Sequence, residues 1–92
     1  MNIFEKYANY HTYAKADLNL GNTHRKLKKF DNAEKYLFDG LTRIQNNTDR
    51  YWEGITCKCI GLLYMDQGNK TLAKKYLNKA SKFLNQLEIK KK

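Results

Sequence analysis

Hydrophobic residues recur along this chain at spacings of three and four, the pattern of helices that each bury one face. The first stretch runs from about Asn9, or earlier, to Leu27, with Tyr10, Tyr13, Ala14, Asp17, Gly21, His24 and Leu27 near one stripe. A second reaches about Gln45 on Ala33, Tyr36, Leu37, Gly40, Leu41 and Ile44; Asp31 is its expected N-cap and Asn46-Asn47 marks its end. Asp49 is placed to cap a third helix, which carries Trp52, Ile55, Thr56, Ile60, Leu63 and Tyr64 and stops at a C-capping Gly68. Thr71 is the expected cap of a fourth. There Leu72, Ala73, Tyr76, Leu77, Ala80, Phe83, Leu84 and Leu87 alternate with Lys74, Lys75, Lys79 and Lys82. The pattern predicts an all-α fold of about four helices.

The pattern also repeats. Leu20-Gly21, His24, Ala33, Tyr36, Leu37 and Gly40 recur forty residues later as Ile60-Gly61, Tyr64, Ala73, Tyr76, Leu77 and Ala80. Glycine inside a helix costs about 1 kcal/mol relative to Ala, so Gly21 and Gly61 predict a close approach by a neighbouring helix. Ala33, Gly40, Ala73 and Ala80 play the same part from the second helix of each pair. Tyr36 and Leu37, with Tyr76 and Leu77, are expected to fill the space between pairs.

In order and spacing, Asp17-x2-Leu20-Gly21-x2-His24 with Ala33-x3-Leu37, and Cys57-x2-Ile60-Gly61-x2-Tyr64 with Ala73-x3-Leu77, resemble the tetratricopeptide repeat. Neither copy has the family's Trp, there is no Pro, and the period is forty rather than about 34, which implies longer helices. The resemblance implies a short right-handed α-solenoid of two helix-turn-helix repeats, about 9–48 and 49–88, in one domain, 1–92, with a basic tail at 89–92. Residues 1–8 match the tail of a repeat whose helix pair is missing, so the chain reads as a fragment of a longer array. Either Ile3, Phe4 and Tyr7 extend the first helix backwards or they are the remnant of an upstream repeat.

With 92 residues the chain is one small domain. No stretch approaches the roughly eighteen apolar residues of a membrane span, and the N-terminus lacks a signal peptide's apolar run, so a cytoplasmic protein without a membrane partner is expected. The net charge of +9 rests on eighteen Lys and Arg against nine acids, and supports solubility and attraction to acidic partners without choosing among them. Fifteen of those eighteen are Lys. Together with abundant Asn and Tyr, that is what an AT-rich genome encodes for reasons unrelated to binding.

Candidate chemistry is sparse. Cys57 and Cys59 point about 200° apart on a helix, too divergent for a disulfide, and lack neighbours at zinc-ligand spacing. They read as free thiols in a reducing compartment. His11 and His24 stand alone, and the single serine, Ser81, has no evident base. No catalytic residue, metal or cofactor is assigned, and the chain reads as a non-enzyme.

Function is therefore sought on the surface. The resemblance implies that the first helix of each repeat lines a concave groove, which would place Lys15, Asn19, Asn22 and Lys26 from the first copy with Lys58, Cys59, Leu62 and Met65 from the second. Asparagine amides donate and accept, so Asn19 and Asn22 can hold a peptide backbone whatever its side chains. Lys15, Lys26 and Lys58 could then select an acidic group or a carboxyl terminus. The expected partner is a protein or short peptide, and the long repeats look like those of bacterial peptide-sensing regulators of the Rap, PlcR and NprR type. Two other readings stand beside this one. Arg25, Lys26, Lys28 and Lys29 could serve nucleic acid, or exposed repeat faces could pair two copies of the chain, since two repeats fall below the three usually needed. The lysines of the fourth helix read as solvated; a membrane surface or a partner is the alternative for that amphipathic face.

Overall fold

The computed structural model describes residues 3–47 and 49–91, with side chains described for 12–47 and 49–85. Four helices follow one another there: α1 (Ile3–Lys26), α2 (Phe30–Asn46), α3 (Arg50–Asp66) and α4 (Lys70–Lys91). Helix α1 pairs with α2 and α3 with α4; α2 packs on α3 to join the hairpins, and α1 touches α3 more lightly. Ile3, Phe4, Tyr7, Tyr10 and Leu87, as well as the Lys90-Lys91-Lys92 end, lie outside the described side chains.

The forty-residue offset holds at atomic level. A Cβ on Gly21 would lie 2.6 Å from Leu37 Cγ, and one on Gly61 2.6 Å from Leu77 Cγ. Both glycines therefore permit the same close crossing within a hairpin. Ala33, Gly40, Ala73 and Ala80 are all buried alongside. His24 stacks on Tyr36 with ring centroids 5.3 Å apart, and forty residues on Tyr64 stacks on Tyr76 at 5.8 Å. Both tyrosines thus pack within a hairpin, and only Tyr76 also bridges hairpins, edge-on to Phe38 at 6.0 Å. This corrects the expectation that both fill the space between pairs: the stacking partner is on the preceding helix, one turn from the glycine.

The core runs through both hairpins. Leu37, Ile44, Ile60 and Leu63 are fully enclosed, each stabilising the fold by about 1.5–3 kcal/mol. Thr56, also enclosed, donates its hydroxyl to Trp52 O at 2.7 Å, so no buried donor is left over. On α1 the expected stripe is only partly internal. Ala14, Leu18 and Gly21 are buried, while Tyr13 and Leu27 lie more than half exposed. Among the described residues α1 packs on α2 and α3 alone, and the rest of the stripe lies outside those contacts.

Two hairpin turns share one backbone ladder. Gly68 N–H donates to Met65 O at 3.0 Å and Asn69 N–H to Tyr64 O at 2.9 Å, the closure that a left-handed residue permits. In the first copy Lys28 N–H donates to Arg25 O at 3.0 Å and Lys29 N–H to His24 O at 2.8 Å. Gly68 has φ 79, and Lys28 adopts φ 63 despite its side chain. The N-caps differ from expectation at two ends. Asp49 does accept from Trp52 N–H at 3.2 Å. In α4, however, Asn69 rather than Thr71 caps, its Oδ1 accepting from Leu72 N–H at 3.2 Å. In α2 the N-cap is Lys29, without a side-chain hydrogen bond. Asp31 falls inside the first turn, where its charge meets the positive end of the helix dipole rather than closing it.

Candidate functional site

Helices α1 and α3 run side by side and enclose a depression of about 250 Å³ lined by Lys15, Leu18, Asn19, Asn22, Trp52, Ile55 and Cys59. Its floor is apolar, from Leu18, Ile55 and the half-buried Trp52. Lys15 stands at the rim with its Nζ 5.6 Å from the centre of the Trp52 ring, a cation–π arrangement that places its charge over the indole. Asp49 caps α3 at the Trp52 backbone N–H, fixing the start of the helix where Trp52 enters the depression.

Asn22 is the centre of the depression. Its Nδ2 donates to Cys59 Sγ at 3.6 Å, a weak bond, and its buried Oδ1 has no partner. Turning the amide over would exchange the two atoms and still leave one of them unpaired. A buried polar atom without a partner costs about 1–3 kcal/mol, which an incoming N–H group could offset. Further along the same seam Arg25 Nη1 pairs with Asp66 Oδ2 at 2.9 Å, tying the ends of α1 and α3 together.

Four of the eight expected groove residues, Lys15, Asn19, Asn22 and Cys59, meet in this depression. Lys26 lies apart, in a shallower hollow with Arg25, Lys28, Phe30 and Asp66. Lys58, Leu62 and Met65 line neither, and Met65 is 54% exposed. For two of them the reason is rotational: Trp52, Ile55 and Cys59 form the row of α3 turned to α1, whereas Lys58 and Met65 sit around the helix from it; Leu62 shares the row and lies one turn beyond the end of the depression. Leu18, Trp52 and Ile55 were not among the expected groove residues. Leu18 and Ile55 occupy the equivalent angular positions to Asn22 and Cys59 one turn earlier, so the helical period alone could have found them.

The two cysteines are free and differ in setting. Cys57 is buried behind α3, and burial, reinforced by Glu53 and opposed by Lys79, pushes its thiol up to about 11. Cys59 faces the depression, half-buried. Tyr64, under α2, is pushed up to about 12 by burial and then by Glu34, whose Oε1 accepts from its hydroxyl at 3.3 Å.

Two copies of one helical hairpin, stacked so that their first helices bound a cleft, define a helical-repeat protein. The tetratricopeptide repeat model matches residues 14–46 and 60–83, and the chain belongs to that family. Repeats of this family generally mediate protein–protein interaction. Neither the comparison with curated proteins nor that with solved structures found a match. Among the described residues, no helix is long and apolar enough to cross a membrane.

Proposed function

We propose that this chain binds an extended segment of a protein or peptide partner across the α1–α3 face. The observation that carries this reading is the Asn22 amide, which sits unpaired on one side within an apolar depression rimmed by Lys15 and Asn19. The depression holds about 250 Å³, below the range of about 300–1,000 Å³ typical of small-molecule sites. It suits one apolar side chain of a longer ligand rather than a cofactor. Backbone groups flanking that side chain would meet Asn19 and Asn22, and an acidic group or carboxyl terminus would meet Lys15. Lys26 and, further off, Lys58 would act on an acidic ligand only through their general field. A cytoplasmic, peptide-responsive bacterial regulator of the Rap, PlcR and NprR type is the setting we propose for such a cleft.

The nucleic-acid alternative is weaker because Arg25, one of the four cations of its cluster, is half-buried and already engaged by Asp66. Amide chemical-shift mapping with a panel of short peptides, acidic and neutral, tests the proposal. Shifts should gather at Asn19, Asn22, Cys59 and the Trp52 indole, and Asn22→Ala should weaken binding by about tenfold, the equivalent of one lost hydrogen bond. Shifts confined to α2 and α4, or binding indifferent to Asn22→Ala, would remove the reading.

A further inference from the structure

We infer that the outer face of α1 is a self-association surface, on which two copies of this chain pair about a two-fold axis. Tyr13, Leu20 and Leu27 are 54%, 42% and 60% exposed, and they are three of the five large hydrophobic residues exposed among the described residues. Their spacing of seven places them on one stripe, Tyr13 and Leu20 on α1 and Leu27 just past its end, where its N–H still donates to Thr23 O at 3.1 Å. Ala16 and Thr23, also exposed, fall between them, giving a seam of alternating large and small residues that can mesh with another helix.

The repeat shows what this face meets when a helix is present. Leu20 corresponds to Ile60, which is fully buried because α2 lies across it. The row that α2 turns towards the second hairpin is Glu34, Phe38, Leu41 and Gln45, seen in the Glu34–Tyr64 and Gln45–Glu53 hydrogen bonds and the Phe38–Tyr76 contact. In a head-to-tail stack, α4 would have to cover α1 of the next copy in the same way. Its corresponding row is Lys74, Asn78, Ser81 and Asn85, all exposed and none apolar. Helix α4 therefore presents a solvated row, and head-to-tail stacking of this chain on it buries little. The apolar stripe can bury itself against its own counterpart, which an isologous contact provides.

Charge agrees with that choice. In a chain of net charge +9, like surfaces repel, yet among the described residues the stripe carries no Lys or Arg. Arg43, the cation beside it at 5.3 Å from the Tyr13 ring, is paired with Asp17 at 2.9 Å. Lys15 and Lys26 point to other hollows around the helix. This inference stands apart from the peptide reading, because the stripe and the α1–α3 depression occupy different sides of α1 and pairing leaves both depressions open.

Light scattering coupled to size exclusion tests it on the full chain, from about 10 μM to about 1 mM, the range that a contact smaller than a standard interface calls for. The mass should rise from 10.9 kDa towards twice that value and change little with salt. Leu20→Lys and Leu27→Lys should each hold the chain monomeric with unaltered helical circular dichroism, while Asn78→Lys on α4 should leave the dimer unchanged. A monomer throughout the range, a dimer that survives both α1 substitutions, or larger species abolished by Asn78→Lys would each overturn the inference.

Discussion

Lys28 at φ 63 and Gly68 at φ 79 occupy the same place in two turns whose hydrogen bonds agree within a tenth of an ångström. One position has the residue that its backbone asks for and the other does not. A left-handed conformation costs an L-residue about 1–2 kcal/mol, while glycine adopts it freely but loses more entropy on folding. Lys28→Gly should therefore stabilise the fold by about 1 kcal/mol, raising the melting temperature by about 4–8 °C in a domain of this size. Removing one cation from beside Arg25, Lys26 and Lys29 acts in the same direction. Lys28→Ala separates the two effects, since it removes the charge and keeps the Cβ. The reverse change, Gly68→Ala, has open space around its Cβ, so its cost of about 1 kcal/mol is conformational alone. Urea unfolding followed by circular dichroism at fixed, low protein concentration measures all three. If Lys28→Gly is no more stable than Lys28→Ala, the left-handed turn does not store the strain assigned to it.

Two further perturbations follow from the same structure. Gly21→Ala gains about 1 kcal/mol of helix propensity but drives a methyl into the enclosed Leu37, at about 1–3 kcal/mol; it should destabilise by about 1 kcal/mol. Gly61→Ala meets the half-buried Leu77 and should cost less; a Gly21→Ala protein more stable than the parent would contradict the close crossing. Stability should also fall in alkali. Unfolded Cys57 and Tyr64 lose their protons near their ordinary values of 9.0 and 10.0, whereas the folded groups hold them to about 11 and about 12. Over that interval the folded state binds more protons, so the contribution is complete below about pH 9 and is lost as pH rises towards about 12. Urea midpoints across that range should decline, and Tyr64→Phe should flatten the upper part; a level profile in the parent refutes the burial assigned to these groups.

Much of the fold was legible in the sequence because a repeat constrains many positions together. Gly21 and Gly61 read as close crossings and are such, each against a leucine sixteen residues later. Caps were less legible. Asp31 and Thr71 are good capping residues by type, but a cap works only where the chain leaves helical geometry, and the turns at Lys28 and Gly68 start each following helix two residues sooner than the side chains suggest. A lysine in a left-handed turn gives no signal of its own; only its register with Gly68 reveals it.

The groove residues divide for a related reason. Helical period says which residues share a face, but which face is inward depends on what stands beside the helix. Lys58 and Met65 correspond by the forty-residue offset to Leu18 and Arg25, and those two do face a neighbour: Leu18 lines the α1–α3 depression and Arg25 pairs with Asp66. On α3 the same side carries a lysine and an exposed methionine, with no described helix against them. Leu at the α1 position and Lys at the α3 position are the chemistry expected of a covered and of a solvated site. Their difference matches the change from Phe38 and Leu41 on α2 to Asn78 and Ser81 on α4. Two independent positions on two helices therefore mark the α3–α4 end as solvated, while Tyr13, Leu20 and Leu27 keep the α1 end apolar. Comparing each residue with its counterpart forty positions away, rather than with its neighbours on the helix, separates a position's role in the repeat from its place at an end.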